Sequence, residues 1–539
     1  MEKRTNGLEC IRPLLIESLS RNSVREKSRS RPAVVQHVNR ETMKAFRPGR
    51  TWSERVVHAG FWAFALLGVE QLVILCRLFV LAVLLLPRDF GLFGMALLAM
   101  FAVDTVSRTG FEQALIHKQE EDTAYLDVAW TVLLIRGLAL AILFFWVAPW
   151  IAGFFGEPAA TPLMRALSIS FVLQGLTNIG VVNFQKKLEF HKEFAFRFSG
   201  ILADMVVAIV AAYLLRSPWA FVLGMVAGDL TRVWASYFIH PFRPRLRIAI
   251  REAKELFDYG MWMLFVGMTV FVGQNGASVA IGKILGATAL GYFQMANRVP
   301  NVVVRRLGVS ISDVAFPAYA ELQGSADLLR AAYQRIAGVS AIVLMPAAVG
   351  IVCVGHDFTR ICLGPKWMPM VPALLILTAA SLVFSIVWTG RPAFMGRGRP
   401  QVVFHMQVAT AATIFVCIYP LCTLWGINGA ALAMVLSGLS ALGVWYVNIR
   451  RQIGITWKEL RLIFTPPMVA SAIMAGALYG LRVLTLPLLP EGRVWGVLWL
   501  LCLILAGATV YFALITLFQR WLPDYRPLKG ITKALKVGK

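Results

Sequence analysis

Apolar runs of about 20 residues, separated by short polar or basic stretches, recur along most of the chain. At 1.5 Å per residue, each run is long enough to cross the hydrocarbon of a bilayer as a helix. The pattern predicts about fourteen crossings, at 60–86, 90–116, 128–152, 162–185, 195–215, 218–240, 258–284, 289–317, 334–354, 371–394, 401–423, 427–449, 466–486 and 495–518. The second and eighth are the most polar. The eighth is the most informative, because Gly291 to Asp313 reads GYFQMANRVPNVVVRRLGVSISD. In a helix, Asn297, Asn301 and Arg305 step by four and Arg298 and Arg305 lie seven apart, so one face is polar and cationic. An arginine facing lipid costs about 2.5 kcal/mol or more. Arg298, Arg305 and Arg306 are therefore expected to face a protein interior or a watery cavity, or to snorkel from a helix end.

Composition agrees with a polytopic membrane protein. Of 539 residues, 58% are hydrophobic and 15% charged, and mean hydropathy is +0.67. An ordinary soluble domain is thereby excluded. A formal net charge of +24 would suggest nucleic acid in a soluble protein. Here the basic residues collect in alternate loops, such as 186–194, 240–256, 396–400 and 450–461, so the positive-inside rule accounts for them and no nucleic-acid partner is expected. That bias predicts both termini on the cytosolic side. The seven cysteines have no zinc-site spacing and read as packing residues. Residues 1–54 form a basic stretch without an apolar core, expected to be a disordered cytosolic tail rather than a cleavable signal.

An internal repeat is visible. Leu85, Gly91, Phe93, Met95 and Ala96 recur in the same spacing as Leu285, Gly291, Phe293, Met295 and Ala296. Phe155-Gly156-Glu157 is echoed by Leu363-Gly364-Pro365, and Met225 and Tyr237 by Met434 and Tyr446. The offset spans six crossings, an even number, so the halves share one orientation and a substrate is expected between them. The division predicted is 55–250, 251–455, two further crossings in 456–519, and a basic tail, 520–539.

Several polar residues lie inside the apolar runs. Arg77 sits about nine residues, or roughly 13 Å, from the predicted external end of the first crossing, and Arg298 lies at similar depth in the eighth. Guanidiniums facing one another across a cavity can clamp a diphosphate bidentately; a salt bridge from Arg77 to Glu70 is the structural alternative. Asp104, Arg108 and Glu112 step by four and form a charged stripe that either neutralises itself or lines the cavity. Arg136 has no acid nearby in sequence and needs a partner or a cavity. Gln274, Asn275, Asn297 and Asn301 either hydrogen-bond sugar hydroxyls or bridge helices. Arg305, Arg306, Arg136 and Arg108 join Arg77 and Arg298 as candidate diphosphate ligands; Asp104, Glu112, Asp204 and Asp313 are candidates for gating or ion coupling, and Asp229 with Arg232 for a structural pair. Pro300 is expected to break the eighth crossing.

Pro87-Arg88-Asp89-Phe90-Gly91-Leu92, Gly110-Phe111-Glu112-Gln113-Ala114-Leu115-Ile116 and Phe154-Phe155-Gly156-Glu157-Pro158 resemble the oligosaccharide flippase family (Wzx-type, polysaccharide biosynthesis proteins). So do Leu285-Gly286-Ala287, Leu290-Gly291-Tyr292, Ala315-Phe316-Pro317-Ala318-Tyr319 and Leu363-Gly364 with Lys366-Trp367. The similarity runs from about residue 50 to 465. One departure is Ser107-Arg108-Thr109-Gly110, where many relatives carry an acid just before the glycine. This family belongs to the multidrug/oligosaccharidyl-lipid/polysaccharide exporter superfamily. The resemblance implies an all-α membrane protein with two six-helix lobes around a central cavity, here with two extra helices. It also implies alternating access that moves undecaprenyl-diphosphate-linked sugar units across the bacterial inner membrane.

The expectation is thus a monomeric transporter for a lipid-linked oligosaccharide, without cofactor or metal, working beside membrane lipids, a polysaccharide polymerase and glycosyltransferases. No Walker A sequence, GxSxG elbow or HExxH motif supports an enzyme. The alternatives are a drug or small-cation antiporter, which should have an acid-dominated cavity, and a polysaccharide polymerase or ligase, which should have a long external loop.

Overall fold

A computed structural model describes residues 52–107, 123–186, 189–247, 250–322, 325–485 and 492–521, and among them finds helices and no strands. That is what a bilayer demands of apolar runs this long, because each helix satisfies its own backbone polar groups. The main helices are α1 (Trp52–Leu84), α2 (Pro87–Ser107), α3 (Thr123–Phe155), α4 (Ala160–Leu176), α5 (Phe190–Leu215), α6 (Trp219–Ile239), α7 (Ile250–Pro300), α8 (Arg306–Glu321), α9 (Ala326–Phe358), α10 (Val371–Gly396), α11 (Pro400–Ile453), α12 (Trp457–Thr485) and α13 (Arg493–Trp521). Among the described residues nine helices are long and apolar enough to cross a membrane. The chain is a multi-pass membrane protein. The fourteen expected crossings are not recovered as separate helices, partly because two long helices each contain a break. The breaks fall at Gly286 (φ 79°) in α7 and at Trp425 and Gly426 (φ 56°) in α11. Glycine supplies the positive φ there without a Cβ clash.

The two halves of the repeat behave alike. Gly156 and Gly364, matched in the sequence, both take positive φ, at 73° and 95°. Helices α1 to α6 pack mainly on one another, with α5 on α6, α3 on α4, and α1 on α5. Helices α7 to α11 form a second group, with α10 and α11 in contact and α7 against both. The two groups meet principally where α2 lies along α7. Helices α12 and α13 attach outside, on α9.

Pro300 does not end its helix. It is followed by a π-helical turn, Asn301–Arg305, that runs on into α8. Proline cannot donate to the preceding turn, and a widened turn accommodates the loss.

The apolar core divides unevenly along the bundle. One end carries the tight turns at 85–86, 156–159, 216–218, 286, 364 and 425–426, called here the turn end. There a single buried cluster joins both groups, with Leu85, Phe90, Met95 and Leu163 beside Leu290, Phe293, Leu363 and Trp367. Toward the opposite, loop end, the clusters are separate. Ala129, Trp130 and Ile179 belong to the first group, whereas Tyr319, Tyr333, Phe394, Trp445 and Ile453 belong to the second. Among the described residues, therefore, one buried cluster spans both groups at the turn end, and the clusters at the loop end lie within single groups. The six described cysteines are free thiols.

Candidate substrate path between the two helix groups

The turn end is closed by backbone approach. A Cβ on Gly91 would overlap the Ala287 carbonyl, and one on Gly291 would overlap the Pro87 carbonyl. These positions are equivalent in the repeat, so the contact is nearly symmetrical. Only glycine lets helices cross so closely. One turn further along, the Gln294 side chain lies against Gly94.

The same face of α7 continues as Arg298, Asn301 and Arg305, since steps of three and four keep to one side of a helix. Where that face leaves α2, its residues become accessible: Arg298 and Arg306 are exposed, while Asn297, Asn301 and Arg305 are half-buried. The Arg305 guanidinium lies 6.0 Å from the centre of the Phe384 ring. Among the described residues, no carboxylate stands at ion-pair distance from Arg298, Arg305 or Arg306. In the first half of α7, Gln274 shares a face with buried Ala277 and Ile281 and is nevertheless exposed, with Asn275 half-buried beside it. Among the described residues, the side chains of these four amides bond to no other side chain or backbone group.

The first group presents a charged network instead. Arg77 of α1 pairs with Asp204 of α5 at 2.9 Å, and its guanidinium lies 5.9 Å from the centre of the Phe221 ring. Its partner is therefore Asp204 and not Glu70. Glu70 lies 3.9 Å from Arg197, which also reaches Glu193 at 3.7 Å. Arg232 holds Asp229 at 3.1 Å. Glycines make room for this network. A Cβ at Gly200 would strike the Arg232 side chain, and one at Gly224 or Gly228 would strike Asp204.

The two sides differ in how their cations are compensated. Arg77 is matched by Asp204, whereas Arg298, Arg305 and Arg306 have no ion-pair partner among the described residues. Uncompensated guanidiniums in an apolar bundle favour an anion beside them.

Arg136 of α3 is committed to α2. It bonds to Asp104 at 2.6 Å, to the Ser107 hydroxyl at 2.8 Å and to the Ser107 carbonyl at 3.0 Å, tying α3 to the end of α2. Arg108 and Glu112 lie outside the described residues, and Asp313 is described only for its helical backbone, in α8.

Residues 80–372, more than half of the chain, match the family described as polysaccharide biosynthesis protein. The chain belongs to that family. It is 24% identical over 411 residues to the lipopolysaccharide biosynthesis protein WzxC of Escherichia coli K12, covering 75% of this chain and 82% of WzxC. It is 23% identical over 412 residues to the succinoglycan biosynthesis transport protein ExoT of Rhizobium meliloti, covering 74% and 80%. Among solved structures, the fold is similar to the lipid II flippase MurJ in an inward closed conformation. The TM-score is 0.67 at 16% identity, over 84% of this chain and 99% of MurJ. It is also similar to an inward-facing multidrug resistance MATE family transporter of the MOP superfamily. There the TM-score is 0.55 at 16% identity, over 71% and 94%.

Sequence reasoning missed how this polysaccharide biosynthesis protein fastens its turn end. Lys366 Nζ donates to the carbonyls of Val83 and Leu85 at 2.7 and 2.8 Å, and Trp367 Nε1 donates to that of Ala82 at 2.9 Å. Two residues of the second group thus cap the last carbonyls of α1, which no helical N–H can reach. Trp367 is fully buried and packs edge-on against Phe90 and Tyr292, at 5.1 and 6.0 Å between ring centres. The Lys366-Trp367 pair was visible as part of a family motif, but its partners lie far away in sequence. The attachment of α12 was also missed. Glu459 accepts from Arg330 at 2.7 Å and Gln334 at 2.6 Å, and caps the helix start through the Thr456 N–H at 2.8 Å. Thr456 and Glu459 have the spacing of a capping box, a signal the sequence did carry.

Proposed function

We propose that this protein is an alternating-access flippase that carries lipid-linked oligosaccharide units across the bacterial inner membrane for exopolysaccharide or O-antigen assembly, with both termini cytosolic. The observation that carries this reading is Arg298, a cation on the second helix group with no ion-pair partner among the described residues, which in this reading works opposite Arg77 of the first group. A diphosphate offers both of them paired oxygens. The names of WzxC and ExoT, biosynthesis and transport of surface polysaccharides, support the same substrate class.

In this mechanism residues 55–250 and 251–455 act as the two lobes and 456–519 as an appended pair of helices. The diphosphate enters the gap at the loop end, past Arg306 and Arg305, and settles between Arg298 and Arg77. Asp204 occupies Arg77 while the path is empty and yields it to the phosphate. Gln274, Asn275, Asn297 and Asn301, whose side-chain amides have no hydrogen-bond partner among the described residues, hydrogen-bond the sugar hydroxyls. Arg108 is assigned to the diphosphate, Glu112 and Asp313 to gating or ion coupling, and Asp104 with Arg136 to holding α2 and α3 in place. The polymerase and glycosyltransferases that make and use the substrate are its partners, and the protein works as a monomer. No catalytic step is assigned to it.

The test is a deletion strain complemented with Arg298→Ala. Lipid-linked saccharides should accumulate, as read by mass spectrometry, and surface polysaccharide should be lost. Normal export with acquired drug sensitivity would instead identify an antiporter.

A further inference from the structure

A cavity of about 880 Å3 lies at the turn end, between the ends of α1 and α9 and the start of α13, and shares no residue with the path described above. Val83, Asp357, Arg360, Ile361, Lys366 and Arg493 are among its lining residues. Its charge is predominantly positive. The one acid in the lining, Asp357, is held by Arg482 at 2.7 Å and cannot serve the others. The Lys366 ammonium is held at this level by the carbonyls of Val83 and Leu85, with Arg493 in the same lining. Arg493 donates to the carbonyls of Ile361 and Cys362, which fixes its position at the rim. Arg360, on the π turn Thr359–Leu363, is exposed and has no ion-pair partner among the described residues.

Beside this cavity, the helices that contribute Val83 and Arg493 to it carry exposed apolar residues. Val80 and Val83 on α1 are 37% and 38% exposed, and Val494 and Trp495 on α13 are 71% and 55% exposed. An exposed tryptophan one turn inside a membrane helix marks the level where headgroups meet acyl chains. Cations at that level, flanked by open apolar helix faces, match a molecule with a phosphate head and hydrocarbon tails. A free phosphate would have no use for the apolar faces.

We infer that this cavity binds the phosphate headgroup of an anionic membrane lipid, with Arg360, Lys366 and Arg493 as its cations. The site goes beyond the transport reading and stands whether or not that reading holds, because lipid retention is measured without transport.

Native mass spectrometry of the full chain, released from detergent after titration with phosphatidylglycerol or phosphatidylcholine, tests it. Phosphatidylglycerol should be retained about tenfold more strongly, the yield expected from one charge-assisted contact. Arg360→Gln, chosen because it holds no other part of the fold, should bring the two lipids to within about twofold at an unchanged melting temperature. Arg461→Gln, an exposed cation at the loop end, should leave the preference intact. Equal retention of the two lipids by the parent protein, or equal losses in R360Q and R461Q, would overturn the assignment. So would millimolar inorganic phosphate displacing phosphatidylglycerol completely, which would mark a soluble-anion site.

Discussion

The turn end and the loop end of this protein are built from the same helices and yet differ in kind. At the turn end, glycines bring α2 and α7 into backbone contact, one apolar cluster spans both groups, and Lys366 and Trp367 cap α1 from the other side. At the loop end, each group keeps its own cluster among the described residues, and arginines and amides lie on the continuing face of α7 and the π turn. Helix groups in contact at one end can part there only by breaking those contacts. The joint is made of close contacts, short hydrogen bonds and one large buried ring, not of covalent linkage or an extended salt-bridge array. Such contacts are made or lost together, as a two-position device requires.

Three substitutions separate the ends. Trp367→Ala should have the largest effect, removing a fully buried indole and the bond to Ala82 at a cost of about 3–5 kcal/mol. The melting temperature should fall sharply, whereas an equally large change confined to the loop end would leave the joint intact. Gly91→Leu comes next. Its side chain would have to displace the Ala287 backbone, and overpacking of that kind costs about 1–3 kcal/mol, enough to open the turn end about tenfold more often. A cysteine placed at Gln294 should then react correspondingly faster with an impermeant maleimide; an unchanged rate would mean that the glycine crossing is not the seal. Glu459→Ala should have the smallest effect, about 1 kcal/mol. It releases α12 from Arg330 at the loop end, and the maleimide rate at position 294 should not change.

Much of the architecture could be read from the residues alone, because hydropathy and glycine placement are local signals. The repeat that pairs Gly91 with Gly291 was visible in the sequence, and the structure brings those two positions to a single crossing. The polar face through Asn297, Arg298, Asn301 and Arg305 was legible for the same reason: helical spacing reveals which residues share a side. Spacing cannot reveal which helix stands opposite. Arg77 therefore met Asp204 and not Glu70, and Arg136 found Asp104 on a neighbouring helix. Likewise, the cap that Lys366 places on α1 joins segments that no local pattern connects. Charge alone did not distinguish Arg136, paired with Asp104, from Arg298, which has no ion-pair partner among the described residues.

The π turn after Pro300 has a consequence for the length of this segment. The Arg306 N–H reaches back to the Asn301 carbonyl, one residue further than in an α-helix, so the chain carries a spare residue at this point. Excising Val302 would tighten the coil while leaving Gly308 and Ser312 seated against α10. The slack would vanish from the stretch that holds Arg305, and that guanidinium would be drawn in toward the helix axis while its neighbours downstream kept their stations.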